Sequence, residues 1–448
     1  LSAERLLGPE TRALSIGLVL TLLLIAFESL AVSTVLPTIT RDLGGLRLYG
    51  WAFSAFFMGY LLSTVTLGSV ADSRGPTAPF TLALILFAVG LVVAGLAPSM
   101  EVFIVGRALQ GLGGGGMIAV AYVAINRALP DALRARMLAL LSSAWVLPAL
   151  VGPYLASRVA DLTSWHVVFL GLLPLLLIAA PLVLPALRRV PSAGAPLDVG
   201  RVRFAGLAAL GTTLALAALT QRAWLGVALL GVAGIAIAVP ALRALFPRGQ
   251  WRLAGPLEAG FATRFVLTFS FFGAEAFVPL GLTNLRDLST TSAGLVLTAS
   301  ALTWSTTSIM HSRFDERTRG RYRSVVSRIG VSFVAASIAL MAFVIVVPSV
   351  PLAFAWLGWA LGGFGMGLAF QSHTLVVMKS APDGQEGQVS GTLQMADVLG
   401  GAIGAGLGGA FVAWLGVTSG VALLFACALL IALSGQVTTA RLRAPGPS

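Results

Sequence analysis

The chain has 448 residues, 57% hydrophobic and 10% charged, with 29 Lys+Arg against 17 Asp+Glu and a net charge of +12; its mean hydropathy is +0.93. Such a composition lies far from that of soluble domains. The single cysteine, Cys427, excludes an internal disulfide or a thiolate metal site, and the scatter of basic residues through short loops excludes a nucleic-acid-binding domain.

Fourteen apolar stretches of near-membrane length follow one another in a pattern of six, two and six. A bilayer core of about 30 Å takes about 20 helical residues to cross, and backbone amides in lipid must be paired internally, so each stretch is expected to be a transmembrane helix. The first six lie near 13–36, 49–71, 79–97, 102–124, 137–158 and 165–187. The run 13–36 is too long for a signal-peptide core and lacks a small-residue cleavage site, so it is expected to stay as a helix. A short basic Pro/Gly-rich linker, 188–196, leads to an additional pair near 204–221 and 224–246. The last six lie near 260–282, 291–312, 325–347, 352–378, 390–414 and 419–437. The expected organisation is an all-α membrane protein: a six-helix bundle over 1–187, the linker and extra pair over 188–257, and a second six-helix bundle over 258–448. Most Lys+Arg fall on alternate loops, which puts both termini in the cytoplasm.

The two sets of six look like a diverged repeat. Arg41-Asp42-Leu43 and Arg286-Asp287-Leu288 follow corresponding spans, and Arg74-Gly75 and Arg319-Gly320 each come 33 residues later. The segment from Gly106 to Gly113 aligns with that from Gly358 to Gly365. Collinear internal symmetry of this kind marks secondary transporters built from two bundles.

On these residues the chain resembles the major facilitator superfamily, and within it the 14-spanner drug:proton antiporter family. The loop from Gly68 through Asp72, Ser73 and Arg74 to Gly75 is similar to the superfamily's signature loop, although Pro76-Thr77-Ala78-Pro79 stands where basic residues usually continue it. Arg107-Ala-Leu-Gln110-Gly111-Leu-Gly113 is close to the family's Arg-x-x-Gln-Gly-x-Gly. Pro148-Ala-Leu-Val-Gly152-Pro153 resembles the antiporter motif, with Pro148 in place of its first glycine. Glu28, nine residues before Pro37, matches the acid of the first helix. The resemblance implies two six-helix bundles that alternate access to a cavity lined by spans 1, 4 and 9, and it assigns Gly68, Asp72, Arg74, Gly75, Gln110, Gly111, Gly152 and Pro153 to gating motifs.

A charged side chain inside a span costs about 2.5–3.5 kcal/mol on insertion scales and so needs a reason. Glu28, Arg107, Glu275 and Asp397 stand out. The first three lie roughly 8–12 Å below the outer surface at 1.5 Å per residue, a depth at which two acids and one arginine would share a central cavity. Desolvation disfavours a carboxylate's charge and a nearby arginine favours it, so an acid that exchanges Arg107 for water would take up and release protons. Glu28 is the first candidate and Glu275 the second; the bland alternative is a static Glu28–Arg107 pair that fixes helix packing. Asp397, a third of the way in from the cytoplasmic end of its span, serves a gate, packing or a proton step, or pairs with a loop arginine. Trp145, Trp304 and Trp359 build an apolar wall with cation–π capacity or else pack against helices and lipid. Asp72 is expected to cap a helix N-terminus and favour one conformer, and Gly152-Pro153 to bend span 5. Gly113 to Gly116 lack a phosphate loop's Lys-Ser/Thr and suit close helix packing. His166, His311 and His373 make no metal spacing and read as solvated or packing residues.

These features imply a monomeric proton-coupled transporter of the bacterial plasma (inner) membrane, not an enzyme, without cofactor, metal or nucleic-acid partner. Its partners are the lipid bilayer, protons and a small-molecule or lipid substrate. Export of amphipathic or cationic compounds fits the two acids; export of a lipid or glycolipid, and uptake by proton symport, are the alternatives. An intramembrane enzyme would need a clustered nucleophile, His or metal set, and a receptor a soluble domain of some size.

Overall fold

The computed structural model describes residues 6, 8, 11–192, 194, 196–246, 252–253, 255–382 and 385–442, and helix is the regular structure throughout them. Residues 193 and 195 of the expected linker lie outside the described residues. The helices are α1 (Arg12–Leu43), α2 (Trp51–Arg74), α3 (Thr77–Gly95), α4 (Met100–Ala128), α5 (Asp131–Ser143), α6 (Val146–Leu162), α7 (Trp165–Leu170), α8 (Leu173–Leu187), α9 (Val199–Leu219), α10 (Trp224–Leu245), α11 (Pro256–Glu275), α12 (Val278–Leu285), α13 (Thr290–Thr318), α14 (Arg323–Val346), α15 (Ala353–Lys379) and α16 (Glu386–Ala440), with a 3₁₀ turn at Leu46–Leu48. Among the described residues, 11 helices are long and apolar enough to cross a membrane. The 55 residues of α16 contain one non-helical residue, Gly416, with φ of 77°. There the chain reverses: Gly420 faces the Val412 backbone, and Leu424 faces Gly408.

Many hydroxyls inside these helices are satisfied locally. Thr21 donates to the Gly17 carbonyl at 2.8 Å, and Thr263 to that of Ala259 at 2.8 Å, so neither residue needs water. Prolines mark most of the breaks. α8 and α12 each carry proline within their first two positions, where the missing N–H costs nothing. The expected bend at Gly152-Pro153 is not where the chain breaks. Pro153 lies inside α6, and the interruption falls at Ala144–Trp145. Pro148 explains it: its ring clashes with the carbonyl four residues earlier, that of Ala144.

The chain divides into two compact units, Leu1–Gly45 with Ala55–Thr213, and Leu46–Ser54 with Leu214–Ser448. In the first unit α3 packs closely on α4, and α1 on α6 and α8. In the second, α11 packs on α16 and α14 on α15. The aligned glycine segments do the same work in each. A Cβ on Gly106 would meet the Ala94 backbone of α3 at 2.5 Å, and one on Gly113 the Phe87 backbone at 2.5 Å. A Cβ on Gly365 would meet the Gly330 carbonyl of α14 at 2.6 Å. Gly115 turns the other way, towards Tyr60 of α2, so α4 is glycine-lined on two sides.

The second unit recruits residues 46–54 from early in the chain. Tyr49 is buried, its ring 5.1 Å from that of Phe277, and its hydroxyl donates to the Ala276 carbonyl at 3.1 Å. Ser54 donates to the Ala402 carbonyl at 2.9 Å. Between them Gly50 and Gly409 meet backbone to backbone: a Cβ on either would lie 2.7 Å from the other's Cα. Gly409→Val is therefore expected to destabilise the protein by about 1–3 kcal/mol through overpacking. The readout is a lowered Tm in detergent; an unchanged Tm would show that this contact yields without cost.

Candidate functional site

In the first unit, α1 and α4 bring together the two charged residues singled out from the sequence. Arg107 forms a salt bridge through Nη1 to Glu28 Oε1, with the side chains 2% and 1% exposed. The same Nη1 donates to Gln110 Oε1 at 2.7 Å, and the guanidinium lies 4.5 Å above the Phe56 ring. One helical turn separates Arg107 from Gln110, and this spacing puts both on one face of α4. Glu28 Oε2 and Gln110 Nε2 are buried without a hydrogen-bond partner. The site is thus a buried charge pair with one acceptor and one donor to spare. Further along α1 and α4, Leu18, Thr21, Ile25, Met117 and Tyr122 line a small apolar cleft of about 20 Å³.

The residues expected in gating motifs lie at the end of α2 and within α4 and α6. Asp72 does not cap a helix. Its carboxylate accepts from Arg127 Nη2 at 2.6 Å, and Arg127 also reaches the carbonyls of Ala71 and Pro191, both within 3.3 Å. An arginine at the end of α4 offers a full charge and several donors, more than the first turn of α3 provides. Arg74 closes α2, and Gly75 follows with φ of 96°, which a side chain would strain. Gly68 meets Ala119 at ordinary contact distance, and Gly111 brings α4 against the Phe56 carbonyl of α2. Gly152 and Pro153 are buried in α6. In the second unit the counterpart loop is held by a different pair. Asp315 accepts from Arg323 Nε at 2.8 Å and Nη2 at 2.6 Å. These bonds hold the Asp315 carboxyl below its usual range and raise the Arg323 guanidinium.

Asp397 lies in the second unit on α16, with its side chain 29% exposed, 3.7 Å from Arg264 Nη1 of α11. Its partner is therefore not a loop arginine but one buried between helices. Sequence reasoning passed over the rest of this cluster. Arg264 Nε donates to His373 Nε2 at 2.9 Å, Nη2 donates to Thr374, and the guanidinium sits 3.6 Å over Phe370. His373, read above as a solvated or packing residue, is fully buried. A signal was present: Arg264, His373 and Asp397 lie at similar depths from the same ends of their spans.

The aromatic residues join this cluster only in part. Trp359 is fully buried and stacks on Phe271 at 5.0 Å. Trp304 meets Phe271 edge-on at 5.8 Å and Phe370 at 5.5 Å. A continuous aromatic strip thus runs from Trp359 to the Arg264 guanidinium. Trp145 belongs to the first unit, where it precedes α6 and is 40% exposed, so it takes no part in that strip. Glu275 ends α11 in the second unit and is half-buried.

Comparison with known proteins bears on this architecture. The family model described as Major Facilitator Superfamily matches residues 18–201 and 260–447. The curated Probable multidrug-efflux transporter Rv1634 of Mycobacterium tuberculosis is 27% identical over 417 residues, covering 86% of this chain and 84% of its own. The Multidrug transporter protein MdtP of Bacillus subtilis is 26% identical over 406 residues, covering 87% of this chain and 73% of its own. Among solved structures, a D-xylose-proton symporter aligns with a TM-score of 0.70 at 14% identity, over 97% of this chain and 99% of its own. The human organic anion transporter MFSD10 aligns with a TM-score of 0.62 at 18% identity, over 95% of this chain and all of its own. With an all-helical fold of membrane-crossing helices and matches across both halves, the chain belongs to the Major Facilitator Superfamily of membrane transporters.

Proposed function

We propose that this chain is a monomeric proton-coupled antiporter that exports amphipathic or cationic small molecules by alternating access, with Glu28 carrying the proton. The observation that carries the reading is the buried Glu28–Arg107 pair with Glu28 Oε2 left without a partner. A carboxylate in this setting is balanced by Arg107. Protonation cancels that balance and leaves Arg107 to Gln110 and the Phe56 face, so proton occupancy selects between two local arrangements. A cationic substrate beside Glu28 would substitute for the proton, which makes the two exclusive and the exchange obligatory. Glu275 is the second acid of the proposed relay, and the strip of Trp359, Phe271 and the half-buried Trp304 is the apolar wall proposed for a drug-like body. The names of the bacterial relatives, multidrug-efflux transporters, support the substrate class.

The same reading takes fourteen spans in the plasma membrane, with both termini cytoplasmic. Three features lead from the 11 long apolar helices to that number. The reversal at Gly416 gives α16 two arms, α5 and α6 together match one expected span, and α13 is long but more polar. The extra pair, α9 and α10, falls largely within the stretch the family model leaves unmatched, 202–259. Much of α10 is exposed and apolar, with Trp224, Leu229 and Val232 outward, as suits a lipid-facing scaffold.

Two measurements check this. In proteoliposomes with a pH-sensitive dye inside, cationic drugs are expected to drive proton movement in the wild type. Glu28→Gln should lower coupled flux by about 100-fold or more while drug binding persists, the range for losing one acid–base group. Full flux in Glu28→Gln would reduce the pair to a packing device, and movement of labelled lipid without proton flux would make the protein a lipid exporter. Deletion of 204–246 with a spliced linker is expected to preserve transport in a folded protein. A folded deletion that no longer transports would give the extra pair a direct role.

A further inference from the structure

The turn that joins α13 to α14 is more basic than its own pairing requires. From Arg313 to Arg323 the chain holds five arginines and two acids, Asp315 and Glu316. Asp315 is taken by Arg323, whose Nε and Nη2 donate to it at 2.8 and 2.6 Å. Among the described residues Glu316 makes no ion pair, and neither do the exposed Arg313, Arg317 and Arg319 around it. The fold does not ask for this charge. In the first unit Arg74-Gly75 is followed by Pro76-Thr77-Ala78-Pro79, whereas Arg319-Gly320 is followed by Arg321-Tyr322-Arg323.

Helical spacing sets these arginines against an apolar surface. Met310, Arg313, Phe314 and Arg317 fall on one face of α13, and all four are exposed. Tyr322, Val325 and Ile329 make a similar exposed stripe at the start of α14. The two stripes join at their ends: the Phe314 and Tyr322 rings lie 6.1 Å apart, and the Arg321 guanidinium lies 5.8 Å from the Tyr322 ring centre. From Met310 to Arg317 the face climbs about 10 Å, at 1.5 Å per residue. That is enough to pass from the hydrocarbon region of a bilayer through its headgroup layer. Aromatic rings suit the boundary between the two, and arginine stems reach across it.

We propose that this surface is a binding site for an anionic phospholipid of the leaflet that it faces. Arg313, Arg317 and Arg321 hold the lipid phosphate, and Phe314, Tyr322 and Val325 take the glycerol and the first methylenes of the chains. A guanidinium pairs with a phosphate through two parallel hydrogen bonds, which makes arginine the suited residue. α14 begins at the same place without an acid in its first turn, so its dipole adds to the attraction. Glu316 offsets one charge and still leaves the patch positive. A zwitterionic lipid brings its own cation to these arginines and is disfavoured. The site uses none of the residues assigned to transport, and its test reads binding alone.

The test is native mass spectrometry of the full chain in detergent, titrated with phosphatidylglycerol or with phosphatidylcholine of the same acyl chains. Wild type is expected to retain its first phosphatidylglycerol at about tenfold lower concentration than phosphatidylcholine. Arg313→Gln, Arg317→Gln and Arg321→Gln together should weaken phosphatidylglycerol binding by about 100-fold, from the usual gain per basic residue at an anionic surface, and leave phosphatidylcholine binding unchanged. A control with Arg188→Gln, Arg189→Gln and Arg203→Gln removes equal charge from exposed positions of the first unit and should keep the preference. Equal retention of the two lipids by wild type would overturn the proposal, and that comparison needs no variant, so it decides even if a triple substitution misfolds. An equal loss in the control would reduce the effect to net charge and overturn the site. Displacement of phosphatidylglycerol by inorganic phosphate at the same concentration would make it a site for a free anion, and overturn the lipid assignment.

Discussion

Lipid offers a protein chain no hydrogen-bond partners, and nearly every feature of this structure answers that constraint. Backbone groups are spent inside helices, and many threonine hydroxyls, such as those of Thr21 and Thr263, are spent on the turn that carries them. Water gives no hydrophobic reason for helices to associate within a bilayer, so close contact must do it. The glycine-lined faces of α4 and α15 provide that contact, letting backbones meet where a methyl group would not fit. Residues that would weaken a helix in water, by about 1 kcal/mol for each glycine, here set the distance between helices.

Among the described residues each unit places a charge pair in this environment, and the two are accommodated differently. Glu28 and Arg107 form a direct pair, supported by Gln110 and the Phe56 face. Arg264 is held chiefly by neutral groups, His373, Thr374 and the Phe370 ring, while its counter-charge stands slightly apart. Protonation of Glu28 would leave the Arg107 charge without its counter-ion. Each leaves a buried carboxylate oxygen, Glu28 Oε2 or Asp397 Oδ1, without a hydrogen-bond partner.

Hydropathy made the helices legible, because a membrane span needs about twenty apolar residues and little else. The repeat was legible too, in glycines that face the preceding helix in both halves. The Glu28–Arg107 pair could be anticipated because two unlike charges lay at one depth in neighbouring spans. What could not be read were outcomes that depend on competition. Two prolines stood in span 5, and the helix breaks ahead of Pro148 while continuing through Pro153. Asp72 had both a helix start and an arginine within reach, and Arg127 was the stronger partner. His373 looked ordinary because its role depends on Arg264, more than a hundred residues away in sequence. The inclusion of residues 46–54 in the second unit is likewise a matter of packing between distant segments.

The reversal of α16 at a single residue has a mechanical consequence. One left-handed glycine leaves no spare chain between the arms, and Gly420 lies directly against the Val412 backbone. The arms are thus coupled like the legs of a tuning fork. Asp397 lies on the first leg, and on the second Gln436 grips Arg328 and Ser332 of α14. The carboxylate of one leg and the amide of the other are thus carried by one reversed helix whose single joint is Gly416.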